Sequence, residues 1–153
     1  MKLQISTSLA LYSVLEFAAS PGHQVSAASI AEKYKVSTHH LAKVLRELVR
    51  ADIIESTRGV GGGYRFCANA KRLTLMDVIE LFEDIGGRTG GSRHPDASTD
   101  VRRALGVVLA EIDEIAKATF RSITIGTMLK LIARQRRGAG EKTQSPPKRA
   151  RKG

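Results

Sequence analysis

The residues whose chemistry best suits a nucleic acid lie in one short stretch, residues 37–46. Lys43 and Arg46 carry positive charge there, and Thr38 and His39 add a hydroxyl and an imidazole group. Apolar residues recur at helical spacing through the same stretch, so the polar residues would share the opposite, outward face of a helix. These apolar residues are Leu41, Val44, Leu45 and Leu48. Basic and hydrogen-bonding side chains presented together in this way can bind base edges and phosphates.

A glycine-rich segment after this helix supplies a second candidate surface. Residues 53–57 and 64–68 are rich in β-branched and aromatic residues and flank the segment RGVGGG at 58–63, which predicts a β-hairpin with a long tip. The glycines would let the backbone approach a sugar-phosphate edge, and Arg58 could enter a minor groove. Arg58 could equally be a solvated turn residue. A nucleotide-phosphate loop is disfavoured, because no Lys-Ser/Thr pair follows and the segment lies between strands.

Other chemistries find little support in the sequence. The single cysteine, Cys67, excludes an intramolecular disulfide and any multi-cysteine metal site. We expect Cys67 to be a small buried side chain; the alternative, a redox-sensing thiol near Arg65, would need exposure and a lowered pKa. His39 and His40 are adjacent and cannot form an i, i+4 metal pair. Since no Ser-His-Asp or paired-carboxylate arrangement stands out, we expect no enzyme, no metal and no other cofactor.

Charge and composition indicate an anionic partner. The chain has 153 residues and a net charge of +10. No apolar run approaches the roughly 20 residues needed to span a bilayer, so we expect a cytoplasmic protein without a membrane partner. Residues 134–153 hold eight basic residues and one acidic residue, with two prolines and few apolar residues. They predict a disordered basic tail, which either solubilises the protein or tracks phosphates.

Three predicted helices position the candidate residues. The first begins near Ser6 to Ser8 and ends before Pro21-Gly22, Ser26 caps the second, and Ser37 caps the third after a short turn. The apolar face of the first helix is predicted from Leu11, Val14, Leu15 and Ala18. Two helices joined by such a turn match a helix-turn-helix, and a hairpin directly after it is a wing.

The second half of the chain predicts a helix that packs against another helix. Thr74 would cap a short helix, and residues 86–97 are predicted to form a loop. Apolar residues then recur with a 4-3-4-3 spacing that is typical of helix pairing, at Val101, Leu105, Val108, Ile112 and Ile115. The partner could be the first helix of the same chain or a second copy of the chain.

The segment from Ser29 to Phe66, followed by KRLTLMDVIELFE and later by SITIGTML, resembles the Rrf family of winged-helix transcriptional regulators. The resemblance covers nearly all of residues 2–132, and its most specific element is the motif RGxGGGY at 58–64. It implies a homodimer paired through the region after the loop and a double-stranded DNA operator as partner. It also implies that the third helix meets the major groove and that Arg58 reads the minor groove. The candidate DNA-binding residues are Ser37, Thr38, His39, His40, Lys43, Arg46, Arg58, Gly61, Gly62, Gly63 and Tyr64.

One departure from the family pattern concerns iron. Its best-known members ligate an iron–sulfur cluster through three closely spaced cysteines before the long helix, whereas residues 86–100 of this chain contain none. Because cluster ligation rests on thiolate sulfur, we expect no iron–sulfur cluster.

These observations predict a mainly α fold with a small β-hairpin wing. The expected organisation is a winged helix-turn-helix domain at 1–85, a loop at 86–97, dimerisation helices at 98–133 and the basic tail at 134–153. The predicted function is a homodimeric, sequence-specific transcriptional regulator, most simply a repressor, whose small-molecule or protein effector the sequence does not reveal. Two alternatives stay open: a winged-helix protein-interaction module, and an architectural protein that binds nucleic acid without sequence preference.

Overall fold

The structure of the chain, a computed structural model, describes residues 3–83 and 99–142. The predicted loop at 86–97 and the last part of the predicted tail, residues 143–153, lie outside these ranges. The helices are α1 (Ile5–Ala19), α2 (Ala27–Tyr34), α3 (Thr38–Arg50), α4 (Leu75–Ile79), α5 (Asp100–Ser122) and α6 (Ile125–Lys142). The strands are β1 (Ile54–Thr57) and β2 (Gly63–Phe66), between α3 and α4. The mainly helical fold with a small β-hairpin is therefore confirmed.

The core lies where α1 packs against α3 and α4. The predicted apolar face of α3 is confirmed, because all four of its residues are buried. The buried face of α1 differs from the prediction: Phe17 and Leu9 are buried, whereas Leu11 and Leu15 are only half-buried. The reason is that α1 also contacts β2 and α6, so several of its faces are covered to different extents.

Hydroxyl side chains cap the short helices as the sequence predicts. Ser26 accepts a hydrogen bond from the backbone N–H of Ser29 at 3.1 Å. Thr74 and Asp77 form a reciprocal capping box at the start of α4. The predicted cap of α1 is wrong, since that helix begins one residue after Gln4 and has no side-chain cap. The backbone N–H of Gln4 donates instead to Glu83 Oε1 at 2.6 Å.

The hairpin is antiparallel, with Ile54 paired to Phe66 and Thr57 paired to Gly63. Val25, between α1 and α2, forms an isolated antiparallel bridge with Tyr64. The two backbone hydrogen bonds of this bridge, in both directions, are each 2.9 Å long. The base of the wing is thus joined to the segment that leads into α2.

The two long helices pack differently. α5 contacts α4 and has no buried residue, so the alternative in which its apolar stripe packs on the first helix is wrong. α6 packs against α1, and its first residue, Ile125, is fully buried. Because α6 continues to Lys142, residues 134–142 are helical, which corrects the prediction of a disordered tail starting at residue 134. No helix in the described ranges has the length and apolar composition to cross a membrane.

Candidate nucleic-acid interface

The outward face of α3 presents the polar residues that the sequence singled out. Thr38, His39, Lys43 and Arg46 are exposed, with Ala42 between them. They lie opposite the buried leucines, as the 3.6-residue period requires. An exposed face of small, hydrogen-bonding and basic side chains is what a helix needs to enter a major groove.

The turn before α3 sets the position of that helix. Lys35 ends α2 in the left-handed region with φ 52°, and its N–H bonds back to the α2 carbonyls. Val36 is half-buried against the core. Ser37 accepts a hydrogen bond from the N–H of His40 at 3.1 Å and caps α3. The helix-turn-helix predicted from the sequence is present in this geometry.

His40 differs from its neighbours on α3. It is half-buried, and its Nε2 atom lies 3.4 Å from the Oγ atom of Ser6 on α1. His39, the adjacent residue, is exposed. Among the candidate DNA-binding residues, His40 therefore faces α1, because successive side chains on a helix point about 100° apart.

Arg58 lies at the tip of the wing, directly before glycines whose backbone conformations favour glycine. Arg58 is exposed, and Gly59 and Gly61 follow it with φ values of +107° and +77°. A Cβ atom at Gly62 would lie 2.4 Å from the carbonyl oxygen of Thr57, so that position has no room for a side chain.

Two residues at the base of the wing have packing roles that the sequence did not reveal. A Cβ atom at Gly63 would lie 2.8 Å from the carbonyl oxygen of Val25. The ring of Tyr64 is half-buried, with its centroid 6.0 Å from that of Phe17. The missing side chain at Gly63 therefore lets two segments of the same protein, the wing and the backbone at Val25, lie close together.

Charge pairing separates the basic residues of this region into two groups. Arg50 pairs with Glu47 at 3.2 Å, and Arg65 pairs with Glu55 across the hairpin. Lys43, Arg46 and Arg58 form no ion pair with any residue that the structure describes. These three side chains can therefore bind a phosphate without first breaking an ion pair within the described protein.

Cys67 lies just past the end of β2 and is exposed, so the expected burial of this side chain is wrong. Alternation along the strand is the reason, because Cys67 follows half-buried Phe66 and shares the side of exposed Arg65. Partial desolvation, followed by the charges of Glu55 and Asp52, raises the pKa of the thiol. The redox alternative required exposure together with a lowered pKa, and the structure has only the first.

The five apolar residues predicted to pair α5 with another helix are between 53% and 78% exposed. They lie along one side of a 23-residue helix that contacts its own chain mainly at α4. Each side chain in this stripe, from Val101 to Ile115, is thus available to a partner.

Sequence reasoning missed a cluster that joins α1, α2 and α6. Tyr12 and Tyr34 stack with ring centroids 4.8 Å apart and planes 9° apart. The hydroxyl of Tyr34 donates to Glu16 Oε1 at 2.6 Å, and Lys33 Nζ donates to the same oxygen at 2.5 Å. Arg136 lines a cavity with these residues. The i, i+4 pair Tyr12 and Glu16 was a local signal for this cluster, but Arg136 lay in the segment predicted as disordered.

Comparison with known proteins agrees with this geometry. The Rrf2 family, described as an iron-dependent transcriptional regulator, matches residues 3–131. A protein of Rhodopseudomonas palustris named as the HTH-type transcriptional regulator BadM is 57% identical over 139 residues, which span 90% of this chain and 86% of that protein. The HTH-type transcriptional regulator NsrR of Shouchella clausii is 32% identical over 85 residues, or 55% of this chain and 57% of that protein.

Solved structures show the same fold. CymR, the global cysteine regulator of B. subtilis, superposes with a TM-score of 0.68 at 23% identity, over 86% of this chain and 98% of that one. IscR of T. potens superposes with a TM-score of 0.61 at 24% identity, over 96% and 93% of the two chains. The resemblance seen in the sequence and the helix-turn-helix with its wing are thereby confirmed: the chain belongs to the Rrf2 family of DNA-binding transcriptional regulators.

Proposed function

We propose that the chain is a sequence-specific regulator that reads its operator with α3 and the tip of the wing. The observation that carries the proposal is the set of exposed basic side chains without a protein partner in the described structure: Lys43 and Arg46 on α3 and Arg58 on the wing. Side chains on a helix in the major groove reach the base edges that distinguish all four base pairs. An arginine at a hairpin tip suits the narrow, electronegative minor groove.

The test begins with selection of bound sites from random duplex DNA by the full-length protein. On the selected operator, Arg58→Ala should cost about 1–3 kcal/mol of binding free energy. Lys43→Ala should change which bases are preferred. Arg121→Ala is the control, because Arg121 pairs with Glu80, the residue directly after α4, outside the proposed interface. Equal affinity of the wild type and Arg58→Ala for the operator would contradict the assignment of the wing.

Competition with random duplex separates this proposal from an architectural protein. A sequence-specific regulator should keep its operator against a large excess of random duplex, with a preference of about 10³-fold or more. An excess of random duplex would displace an architectural protein from the operator. Repression requires only that the bound protein occupy the operator, and the proposed function includes no catalytic step.

We further propose that the regulator is a homodimer paired through the exposed stripe of α5. Supporting this, five apolar side chains recur at pairing intervals and lie 53% to 78% exposed in the single chain. A two-fold dimer that puts its two copies of α3 in successive major grooves must hold them about 34–36 Å apart. The operator should then be a pseudo-palindrome.

The family description mentions iron, and the residues of this chain do not fit an iron–sulfur cluster. Four thiolates hold such clusters in most proteins, and this chain has one cysteine. Cys67 lies beside the wing, and the described residues contain no group of three or more His, Cys, Asp or Glu side chains that could hold a metal ion. Protein purified without oxygen should be colourless and free of iron and acid-labile sulfide. A brown, iron-containing protein would contradict this.

A further inference from the structure

The outer face of α6 carries a row of positive charge. Lys130, Arg134 and Arg137 recur at positions i, i+4 and i+7, so they lie along one face of the helix. All three are exposed, and none pairs with a carboxylate among the side chains that the structure describes. We call these three residues the basic row. Like charges at such spacings repel each other, so an anionic partner would stabilise this part of α6.

The opposite face of α6 packs against its own chain. Ile132 and Arg136 line a cavity with Glu16 of α1. Although partial burial raises the pKa of Glu16, hydrogen bonds and the charges of Lys33 and Arg136 lower it overall. Arg134, two residues from both Ile132 and Arg136, points about 160° away from them. Arg136 therefore faces a carboxylate of α1, and the basic row points away from it.

α6 lies on the side of α1 that faces away from α3. Ser6 of α1 lies against His40 of α3, whereas Leu15 of α1 lines the cavity shared with α6. Ser6 and Leu15 are nine residues apart, so at about 100° per residue their side chains point in opposite directions. The basic row, on the outer face of α6, is therefore remote from the α3 face that is proposed to meet the operator.

The composition of the end of the chain indicates what would bind to the row. Residues 133–153 hold eight basic residues and one acidic residue, without any aromatic or large aliphatic residue. Protein interfaces depend on buried aromatic and apolar anchors, which this segment lacks. Nucleic acids present evenly spaced phosphates instead, and arginine binds a phosphate through paired hydrogen bonds. The row therefore suits a phosphate backbone better than a protein surface.

The length of the row also matches DNA. From Lys130 to Arg137 the helix rises about 10 Å. Over that length of the duplex axis, one DNA strand carries about three phosphates. Three cations on one helix face can thus each lie near a different phosphate of one strand.

We propose that the basic row binds the phosphate backbone of a second DNA segment, without sequence preference, while α3 and the wing hold the operator. The row and α3 lie on opposite sides of α1, so one straight duplex reaches only one of them in a given chain. The protein thereby joins two stretches of DNA. Bridging rests on the proposed function, because it requires an operator at α3; phosphate binding by the row does not.

Capture of a second duplex by the full-length protein tests the proposal. Immobilised operator is loaded with protein, washed, and exposed to a labelled random-sequence duplex that lacks the operator. The wild type should capture this duplex at about 50 mM salt. The affinity of capture should fall at least about 40-fold at about 200 mM salt, as expected for three phosphate contacts. Several different random sequences should be captured equally well.

Paired variants test the location of the site. Arg134→Ala with Arg137→Ala favours the helix and removes two charges, so this variant should fold and capture the second duplex at least about tenfold more weakly. Its affinity for the operator should equal that of the wild type. Arg134→Lys with Arg137→Lys should capture more strongly than the alanine variant, because lysine binds phosphate as a point charge.

Arg103→Ala with Arg121→Ala is the matched control. It also removes two exposed arginines, but these lie on α5 and already pair with carboxylates. Its capture of the second duplex should equal that of the wild type.

Several results would overturn the proposal. These are no capture by the operator-bound wild type, equal capture by the double alanine variant, and an equal loss of capture in the control. A changed oligomeric state in the double alanine variant would assign the row to a second copy of the chain. Polyglutamate that displaces the captured duplex at an equal concentration of negative charge would assign it to an acidic protein.

Failure of the proposed function has a different signature. If no operator can be selected, the regulator assignment is wrong. The double alanine variant should even then bind random duplex more weakly than the wild type, because the row does not depend on α3.

Discussion

Gly62 and Thr57 approach each other so closely across the wing that no side chain fits between them. A Cβ atom at Gly62 would lie 2.4 Å from the carbonyl oxygen of Thr57, and the N–H of Gly62 bonds to Gly59 at 2.9 Å. The shape of the tip, and with it the position of Arg58, depends on this contact between backbone atoms.

Gly62→Ala should therefore distort the wing. We expect the free energy of unfolding to fall by about 1–3 kcal/mol, measured by urea denaturation, and operator affinity to fall with it. Gly138→Ala is the control, because Gly138 lies in α6 with no atom near the added Cβ. There alanine should stabilise the helix, by at most about 1 kcal/mol. Unchanged stability and affinity in Gly62→Ala would contradict the prediction.

Ser37 can be tested separately as a helix cap and as a DNA contact. Ser37→Ala removes the acceptor for the His40 N–H, 3.1 Å away, and should cost about 1 kcal/mol of stability. Ser37→Asn keeps a capping oxygen and should leave stability nearly unchanged. If Ser37 also meets DNA, both variants will bind the operator more weakly. Full affinity in Ser37→Asn would limit this residue to capping.

Ile112→Glu should convert a dimer into monomers, because the carboxylate would be buried without a partner in the α5 pair. Light scattering across a concentration series measures this directly. Val107→Glu is the matched control: Val107 is also an exposed apolar residue of α5, but helical periodicity places it away from the stripe. A wild-type protein that is monomeric at micromolar concentration would contradict the dimer proposal.

Cys67 should react slowly at neutral pH. Partial desolvation and the nearby carboxylates of Glu55 and Asp52 raise the pKa of its thiol, so less thiolate is present at a given pH than in free cysteine. The midpoint of the pH profile of alkylation should therefore lie at a higher pH than that of free cysteine. Glu55→Gln should lower the midpoint pH, because the substitution removes one carboxylate and leaves Arg65 unpaired. The control Glu47→Gln should leave the midpoint unchanged. A midpoint at a lower pH than that of free cysteine would favour the redox alternative.

Much of the candidate interface was predictable, because the elements that form it depend on local sequence. The buried face of α3 follows from a period that any helix must have, and the caps at Ser26, Ser37 and Thr74 depend on hydrogen bonds that span three residues. The glycines between two β-rich runs likewise predict a hairpin without reference to the rest of the chain.

Contacts between segments distant in the chain decided the rest. Tyr64 was assigned to DNA from its motif, but the bridge to Val25 and the packing on Phe17 bring its ring toward the core. Arg136 lies in a stretch whose composition suggests disorder, yet α6 continues through it, packed on α1 beside Glu16. Composition and periodicity show which face of a segment is apolar or charged. Only the tertiary structure specifies which other segment packs against that face, because burial and pairing are properties of two surfaces and not of one.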